Sequence, residues 1–397
     1  MRKCFWILVS VVVVFTMSNA VAQSQRAPKS DIIIKPEQEE FMKQAQDAMR
    51  LGKTDEALKL ATRAVNADQT NFVAYAFRAR LNDHIKRYDA AAVDYTVAIQ
   101  IAPAKLELLQ ARAMSQFRAG RLHDAIKDWE IYLRQEQDVA RDPYLFTLGI
   151  AYAITGRYDD GRKRFAWYNT VSGDDVEAAA WHFLCVAKKS GGDGAASLAR
   201  AQEALLTVSK DKRLPMMQIY ELYKGTLRPA NVLAAARAGE PAAEELQRRL
   251  FYADLYLGIY YDAAHQPGMA RQYLRRVAAM GPVFERDPTL GFMTDVARVY
   301  ADTLDAADAR DTAATIAASP EARDLRRTQG IVWVVASLLV LYVGVRVWRS
   351  RRAVRGNLQP PAGGGTCCGT ESAAADGHES TPRPAVAAAM AAEKVST

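Results

Sequence analysis

Apolar residues recur at helical spacing through much of the chain, interrupted by short polar turns. Between residues 72 and 104, two such segments flank a turn at Lys86–Arg87, and Pro103 ends the second segment. Small residues stand where two packed helices would cross, at Ala79, Ala91 and Ala98. This pattern predicts a helix–turn–helix unit with a close helix crossing.

The unit repeats along the chain. Alanines recur at one constant interval in two series, Ala45, Ala79, Ala113 and Ala57, Ala91, Ala125. A helix–turn–helix unit with this 34-residue period is typical of tetratricopeptide repeats (TPRs), and the sequence resembles TPR proteins. The resemblance implies an all-α, right-handed superhelical solenoid, because one unit cannot bury its apolar face alone and neighbours must stack. It also implies a concave groove lined by the first helix of each unit.

The repeats and their flanking segments predict eight regions. They are a signal peptide (1–22), a polar leader (23–37), TPR repeats one to four (38–175), degenerate helical repeats (176–250), a TPR repeat with a capping helix (251–306), a juxtamembrane segment (307–329), a transmembrane helix (330–348), and a basic flank with a disordered cytoplasmic tail (349–397). The capping helix is expected to begin at Asp287-Pro288 and to end near Thr303. A helix is also expected over 195–208.

The run FYADLYLGIYYDA, which begins at Phe251, is similar to a segment of bacterial NlpI-type periplasmic TPR proteins. Those proteins are lipoproteins, and the cysteine that would carry the lipid is missing here, since Cys4 precedes the apolar core of the leader. The similarity therefore does not extend to lipid anchoring.

Both ends of the chain carry targeting signals. Arg2 and Lys3 precede a short apolar core, and an Ala-Val-Ala site ends at Ala22, which predicts a cleaved signal peptide; an uncleaved anchor is the alternative. Residues 330–345 contain no charge and predict a transmembrane helix, with a buried core helix as the alternative. More arginines follow this span than precede it, which places the tail in the cytoplasm and the repeats outside it. We expect a single-pass protein of a bacterial inner membrane, although the sequence leaves a eukaryotic secretory compartment open.

The net charge of +7 does not indicate a nucleic-acid-binding protein. Arg2 and Lys3 contribute +2 and residues 321–355 contribute +6, so the rest of the chain carries −1. Binding to phosphates requires clustered basic residues on the folded surface. The repeats contain a single cysteine, Cys185, which we expect to be a buried packing thiol, and Cys367-Cys368 in the tail are expected to be unmodified.

No motif for catalysis or cofactor binding is found. The sequence lacks HExxH, GxSxG and the Walker-type phosphate loop, and the loop Gly191–Gly194 lacks the Lys-Ser/Thr that would follow in such a loop. Four histidines of the repeat region are far apart, and we expect no metal and no cofactor. They are His84, His123, His182 and His265.

The predicted binding site is the groove. Six residues are expected to face it, Met42, Gln46, Arg80, His84, Gln110 and Met114. Methionine adapts to varied apolar partners, and Arg80 can pair with a carboxylate or carbonyl, so this mixture suits a protein segment. TPRs that bind chaperone tails carry Lys and Asn where Met42 and Gln46 stand, which argues against that ligand. The sequence thus predicts a membrane-anchored scaffold that binds an unidentified protein, with an enzyme or enzyme accessory built on 176–250 as the alternative.

Overall fold

The computed structural model describes residues 34–135, 144–191 and 193–356. These residues form helices and connecting turns, with no strand among them. The signal peptide, most of the leader, the cysteine pair Cys367-Cys368 and the tail beyond Gly356 lie outside the described residues. The helices are α1 Pro36–Arg50, α2 Thr54–Ala67, α3 Phe72–His84, α4 Tyr88–Ile101, α5 Leu106–Arg118, α6 Leu122–Gln135, α7 Tyr144–Ile154, α8 Tyr158–Ser172, α9 Val176–Ser190, α10 Gly194–Glu203, α11 Met216–Lys224, α12 Pro229–Arg237, α13 Ala243–Ala263, α14 Pro267–Ala279, α15 Pro288–Ala318 and α16 Pro320–Gly356. The chain divides into two compact units, one ending at Ile316 and one beginning at Ala317.

Helices α1 to α8 form four antiparallel hairpins. In the first three, the alanines of the two periodic series are fully buried where the two helices cross. In the fourth hairpin, Gly149 and Gly161 occupy these positions. A Cβ atom on Gly161 would lie 2.8 Å from the Sγ atom of Cys185 in α9, so the contact of α8 with α9 accepts only glycine there without movement.

The turn inside each hairpin needs a left-handed backbone conformation. Gly52, Gly120 and Gly156 adopt positive φ angles of 72°, 79° and 82°. Lys86 holds the same position in the second hairpin with a φ angle of 61°, although it carries a side chain. The turn geometry is therefore repeated even where its preferred residue is not.

The region after the fourth hairpin departs from the regular repeat. Helix α10 ends at Glu203, shorter than the predicted 195–208 helix, and residues 205–214 continue without regular secondary structure. Helix α13 begins at Ala243, well before the start expected at Phe251. As predicted, Cys185 of α9 is fully buried. Burial raises the pKa of its thiol well above the usual range.

Helix α15 differs from its prediction in length and in packing. It ends at Ala318 and not near Thr303, and its residues Val296, Ala297 and Val299 are buried. Its first half packs against helices distant in sequence. Phe292 lies 5.8 Å from Phe117 of α5, measured between ring centroids, and Tyr300 lies 5.9 Å from Trp181 of α9. It is therefore an integral part of the core and not only a polar cap.

A charged side-chain cluster fixes the middle of α15. The hydroxyl of Tyr300 donates to the carboxylate of Asp262 in α13, and Lys188 of α9 pairs with that carboxylate at 2.9 Å. The side chain of Asp262 is only 5% exposed. A buried carboxylate needs such partners, because burial without them would be strongly unfavourable.

The second unit contains α16. Within it, Thr328–Arg349 is long and apolar enough to cross a membrane, and its side chains are exposed, Trp333 for example by 74%. This stretch contains the predicted span 330–348.

Candidate protein-binding face

Equivalent positions of successive first helices lie on one face of the array, which we call the inner face. Gln46 of α1, Arg80 of α3 and Met114 of α5 are each separated by one repeat period and form one row on it. Gln46 and Arg80 are exposed, whereas Met114 is half-buried. The row therefore runs from solvent into a covered part of the molecule within three hairpins.

Helix α15 covers the inner face from α5 onward. The guanidinium of Arg118 pairs with Asp295 at 3.2 Å, and Arg298 donates to the backbone carbonyl oxygen of Arg118 at 2.6 Å. Further along, Val299 and Thr303 of α15 line a narrow cleft together with Ile154 of α7. The inner face is thus open on α1 and α3 and occupied by the chain itself beyond α5.

A cavity of about 1050 Å³ lies where the open part ends. One wall is apolar and is formed by Met114, Phe146, Phe292 and Met293. Another part of the lining, the charged wall, contains Asp175, Glu177, Asp211 and Arg213. This is the size of a typical ligand pocket, with an apolar lining and a few convergent polar groups.

The charged wall is organised by one guanidinium. Arg213 donates to both oxygens of Asp211 at 3.0 and 2.6 Å, donates to Glu177, and reaches Asp175 at 3.5 Å. The hydroxyl of Tyr256 donates to the other oxygen of Glu177 at 2.8 Å. Burial, with a smaller contribution from the charge of Glu177, raises the pKa of Asp175 to about 6. Arg213 thereby holds the irregular segment 205–214 against the start of α9.

A second perturbed carboxyl group lies near the open part of the inner face. The hydroxyl of Ser115 lies 2.8 Å and 2.9 Å from the two carboxyl oxygens of Asp83, donating to the group across the α3–α5 contact. Burial raises the pKa of Asp83 to about 6, although Ser115 and Arg118 act in the opposite direction. The group therefore titrates near neutral pH.

The hairpins are joined by a repeated polar ladder. Arg78 of α3 pairs with Asp94 of α4 through bonds of 2.9 and 2.7 Å, and also donates to the hydroxyl of Thr62 in the preceding hairpin at 3.3 Å. The same triad recurs one repeat later, as Thr96, Arg112 and Asp128. Through the first three hairpins, the helices, the fully buried crossing residues and the turns therefore share one 34-residue period, which the polar ladder also follows. The fourth hairpin is offset by two residues, with its turn at Gly156.

The chain folds as a tetratricopeptide-repeat array. No protein-family model and no curated protein matches it. Solved structures to which it is similar include a TPR protein from Parabacteroides merdae, 16% identical over 65% of this chain and 98% of that chain, with a TM-score of 0.42. MamA from Desulfovibrio magneticus is 12% identical over 43% of this chain and 96% of that chain, with a TM-score of 0.36. PilF from Pseudomonas aeruginosa is 12% identical over 62% of this chain and 92% of that chain, with a TM-score of 0.34. At these values the assignment rests on the repeats of the chain itself.

The TPR array places the six predicted groove residues in different surroundings. Gln46, Arg80 and Met114 share the row described above, and His84 lies exposed at the end of α3, one repeat before Arg118. Gln110 is half-buried on α5. Met42 is only 8% exposed and packs in the core of the first hairpin. Their part in binding stays a prediction.

The histidines of the TPR array do not form a site. His123 and His265 are exposed, whereas His182 is 4% exposed, and burial lowers its pKa to about 4. Among the residues that the structure describes, no three His, Cys, Asp or Glu side chains are arranged to hold a metal ion.

The charged wall of the cavity and the polar ladder are not among the features predicted from the sequence. The ladder had a signal, because Arg78 and Arg112, like Asp94 and Asp128, follow the repeat period. The charged wall had none. Asp211 and Arg213 belong to an irregular segment whose position depends on contacts with α9 and α13.

Proposed function

We propose that this protein is a membrane-anchored scaffold whose TPR array binds another protein on the open part of the inner face. The observation that carries the proposal is the division of that face: Gln46 and Arg80 are exposed, whereas α15 covers the equivalent positions beyond α5. The surface available to a partner therefore consists of α1, α3 and the part of α5 that faces α3. The cavity lies at the α5 end of this surface. We propose a role in the assembly or regulation of an envelope complex.

The test is recovery of bound protein from membranes that contain the full chain with an affinity tag. Replacing Arg80 and Gln110 together by alanine should reduce recovery about fivefold or more, since truncation of an interface anchor costs over ~1 kcal/mol. The matched control replaces Arg134 and Gln100, an exposed arginine and glutamine on the second helices α6 and α4. Equal recovery by both variants, with folding intact in each, would refute binding at the open inner face.

The orientation is a separate part of the proposal. The apolar stretch Thr328–Arg349 and the arginine excess after it support an array outside the cytoplasm and a tail inside it. Protease added to intact spheroplasts should digest the array and leave a tail epitope protected. Digestion of the tail alone would show the opposite orientation.

The enzyme alternative built on 176–250 remains a hypothesis of its own. Glu177, Asp211 and Arg213 belong to that region, and the bonds of Arg213 give them a role in holding the segment 205–214. Turnover of a small substrate by the purified protein, lost on substitution of Glu177, would favour it over the scaffold.

A further inference from the structure

The cavity continues the open part of the inner face. Met114 ends the row that begins with Gln46 and Arg80, and its side chain forms part of the apolar wall. A protein segment lying along α1 and α3 would reach this wall next. The cavity is therefore placed to receive one or two side chains of whatever binds on the open face.

The least exposed charged side chains that line the cavity are negative. The side chains of Asp175, Glu177 and Asp211 are 20%, 19% and 5% exposed, and together they share the single guanidinium of Arg213. Two negative charges remain without a cationic partner in that group. Because these carboxylates are mostly shielded from solvent, their field in the cavity is screened less than that of surface charges.

The remaining charged groups around the cavity do not cancel this field. Arg118 is paired with Asp295 of α15. Lys210 and Lys212 are exposed at the rim, where water and salt screen them, and Asp174, also at the rim, accepts hydrogen bonds from Ser209. A positive group that enters the cavity would therefore meet both attractive carboxylates and the apolar wall.

We propose that this cavity binds a basic side chain, lysine or arginine, that stands beside a large apolar residue in a segment of the partner protein. The inference rests on the proposed function and names the chemistry of the partner. The apolar neighbour packs against Met114 and Phe292, and the aliphatic stem of the basic residue follows it. The cation then lies near Asp175 and Glu177, whose excess negative charge it neutralises.

The wall gives the interaction a defined pH dependence. Asp175 caps the start of α9 and accepts a hydrogen bond from the backbone N–H of Glu177 in its first turn. It also faces Asp211 and Arg213 of the segment 205–214, and Tyr256 of α13 lies beyond Glu177. Its pKa is raised to about 6, so it is mainly ionised at pH 7.5 and mainly protonated at pH 5. Binding of a basic side chain should weaken as the pH falls through this range, because one attracting charge is lost.

The experiment uses the full chain in detergent micelles with ¹³C-labelled methionine methyl groups. Two probes are compared, the acetylated and amidated peptides Gly-Leu-Arg-Gly and Gly-Leu-Glu-Gly. The Arg peptide should shift the signals of Met114 and Met293, assigned by separate substitutions to leucine, and should bind at least about tenfold more tightly than the Glu peptide. It should bind more weakly at pH 5 than at pH 7.5.

The variant Asp175→Asn with Glu177→Gln keeps the shape of the wall, and the amide oxygens can still accept the hydrogen bonds of the cap and of Tyr256. It should reduce the preference for the Arg peptide to about threefold or less. The control Asp124→Asn with Glu56→Gln changes two carboxylates that are exposed on second helices, and should leave the preference unchanged. Circular dichroism verifies that both variants are folded.

Equal or tighter binding of the Glu peptide, or no shift of the two methionine signals at about 10 mM peptide, would overturn the inference. This failure is distinct from failure of the scaffold. If recovery of partner protein still depends on Arg80 and Gln110 while the Arg peptide does not bind, the open face is the binding site and the cavity is not part of it.

Discussion

The pair Arg78–Asp94 offers a direct test of what the polar ladder contributes to stability, since it joins the two helices of the second hairpin and its arginine also bonds to Thr62 of the first. Its carboxylate is 7% exposed and its guanidinium 22%, and two bonds of 2.9 and 2.7 Å join them side by side. The hydrogen bond with Asp94 raises the pKa of Arg78, so the arginine stays charged at any accessible pH. Replacing Asp94 by alanine leaves this charge with the hydroxyl of Thr62, at 3.3 Å, as its remaining partner in the ladder.

The free energy of unfolding that Asp94→Ala removes should lie between the values for a fully buried ion pair and an exposed one. Removing one member of a fully buried pair costs ~3–5 kcal/mol, and an exposed pair contributes ~0–1 kcal/mol. Since Arg78 keeps some access to water, we expect Asp94→Ala to destabilise the array by about 2–3 kcal/mol. Replacing both residues by apolar ones, Arg78→Met with Asp94→Leu, removes the unpaired charge and should stay within about 1 kcal/mol of the native protein.

Thermal unfolding followed by circular dichroism measures the effect. A loss of this size should lower the midpoint by about 4–10 °C in a domain of this size class. Asp124→Ala is the control, because its carboxylate is 51% exposed and lies 3.7 Å from Lys127. If Asp94→Ala lowers the midpoint no more than Asp124→Ala, the Arg78–Asp94 pair contributes no more to stability than an exposed carboxylate, and the prediction is wrong.

Two further changes test the packing and the titration of the inner helices. Gly161→Ala places a Cβ atom 2.8 Å from the Sγ atom of Cys185 and should cost about 1–3 kcal/mol in thermal unfolding, most of it recovered by adding Cys185→Ala. An unchanged midpoint for the single variant would contradict the close contact of α8 with α9. Because the pKa of Asp83 is raised to about 6, the folded state binds more protons than the unfolded chain between about pH 4 and 6, so this group makes stability fall as the pH rises through that window. Asp83→Asn should remove that part of the slope in urea unfolding measured from pH 4 to 7, and an identical slope in the variant would show that Asp83 titrates normally.

The repeating part of the fold was predictable because its determinants are local and periodic. Ala45, Ala79 and Ala113 mark helix crossings by their spacing alone. The same 34-residue interval places Gln46, Arg80 and Met114 in one row. The packing of α15 was not predictable in this way. Its Ala- and Asp-rich sequence predicts a helix in any surroundings, and its contact between Arg118 and Arg298 joins residues 180 positions apart.

The candidate site shows the same division. Its open surface follows from the repeat period, and its deeper end depends on the irregular segment 205–214 and on α15. A carboxylate such as Asp211 in a polar stretch with no periodicity carries no signal that it will be held by Arg213 at a cavity wall. Only the folded chain brings these groups together.

The covering of the inner face by α15 also determines the order in which parts of the protein unfold. An open repeat array unfolds from either end, since each unit contacts only its neighbours. Here one continuous core extends from Ala113 to Ala301, whereas the first two hairpins have small cores of their own. Loss of structure should therefore begin at the amino-terminal hairpins and stop at α5, beyond which the molecule melts as a single cooperative block. The surface proposed to bind a partner is the part that local fluctuations can reshape at least cost, and the block behind it remains a fixed support.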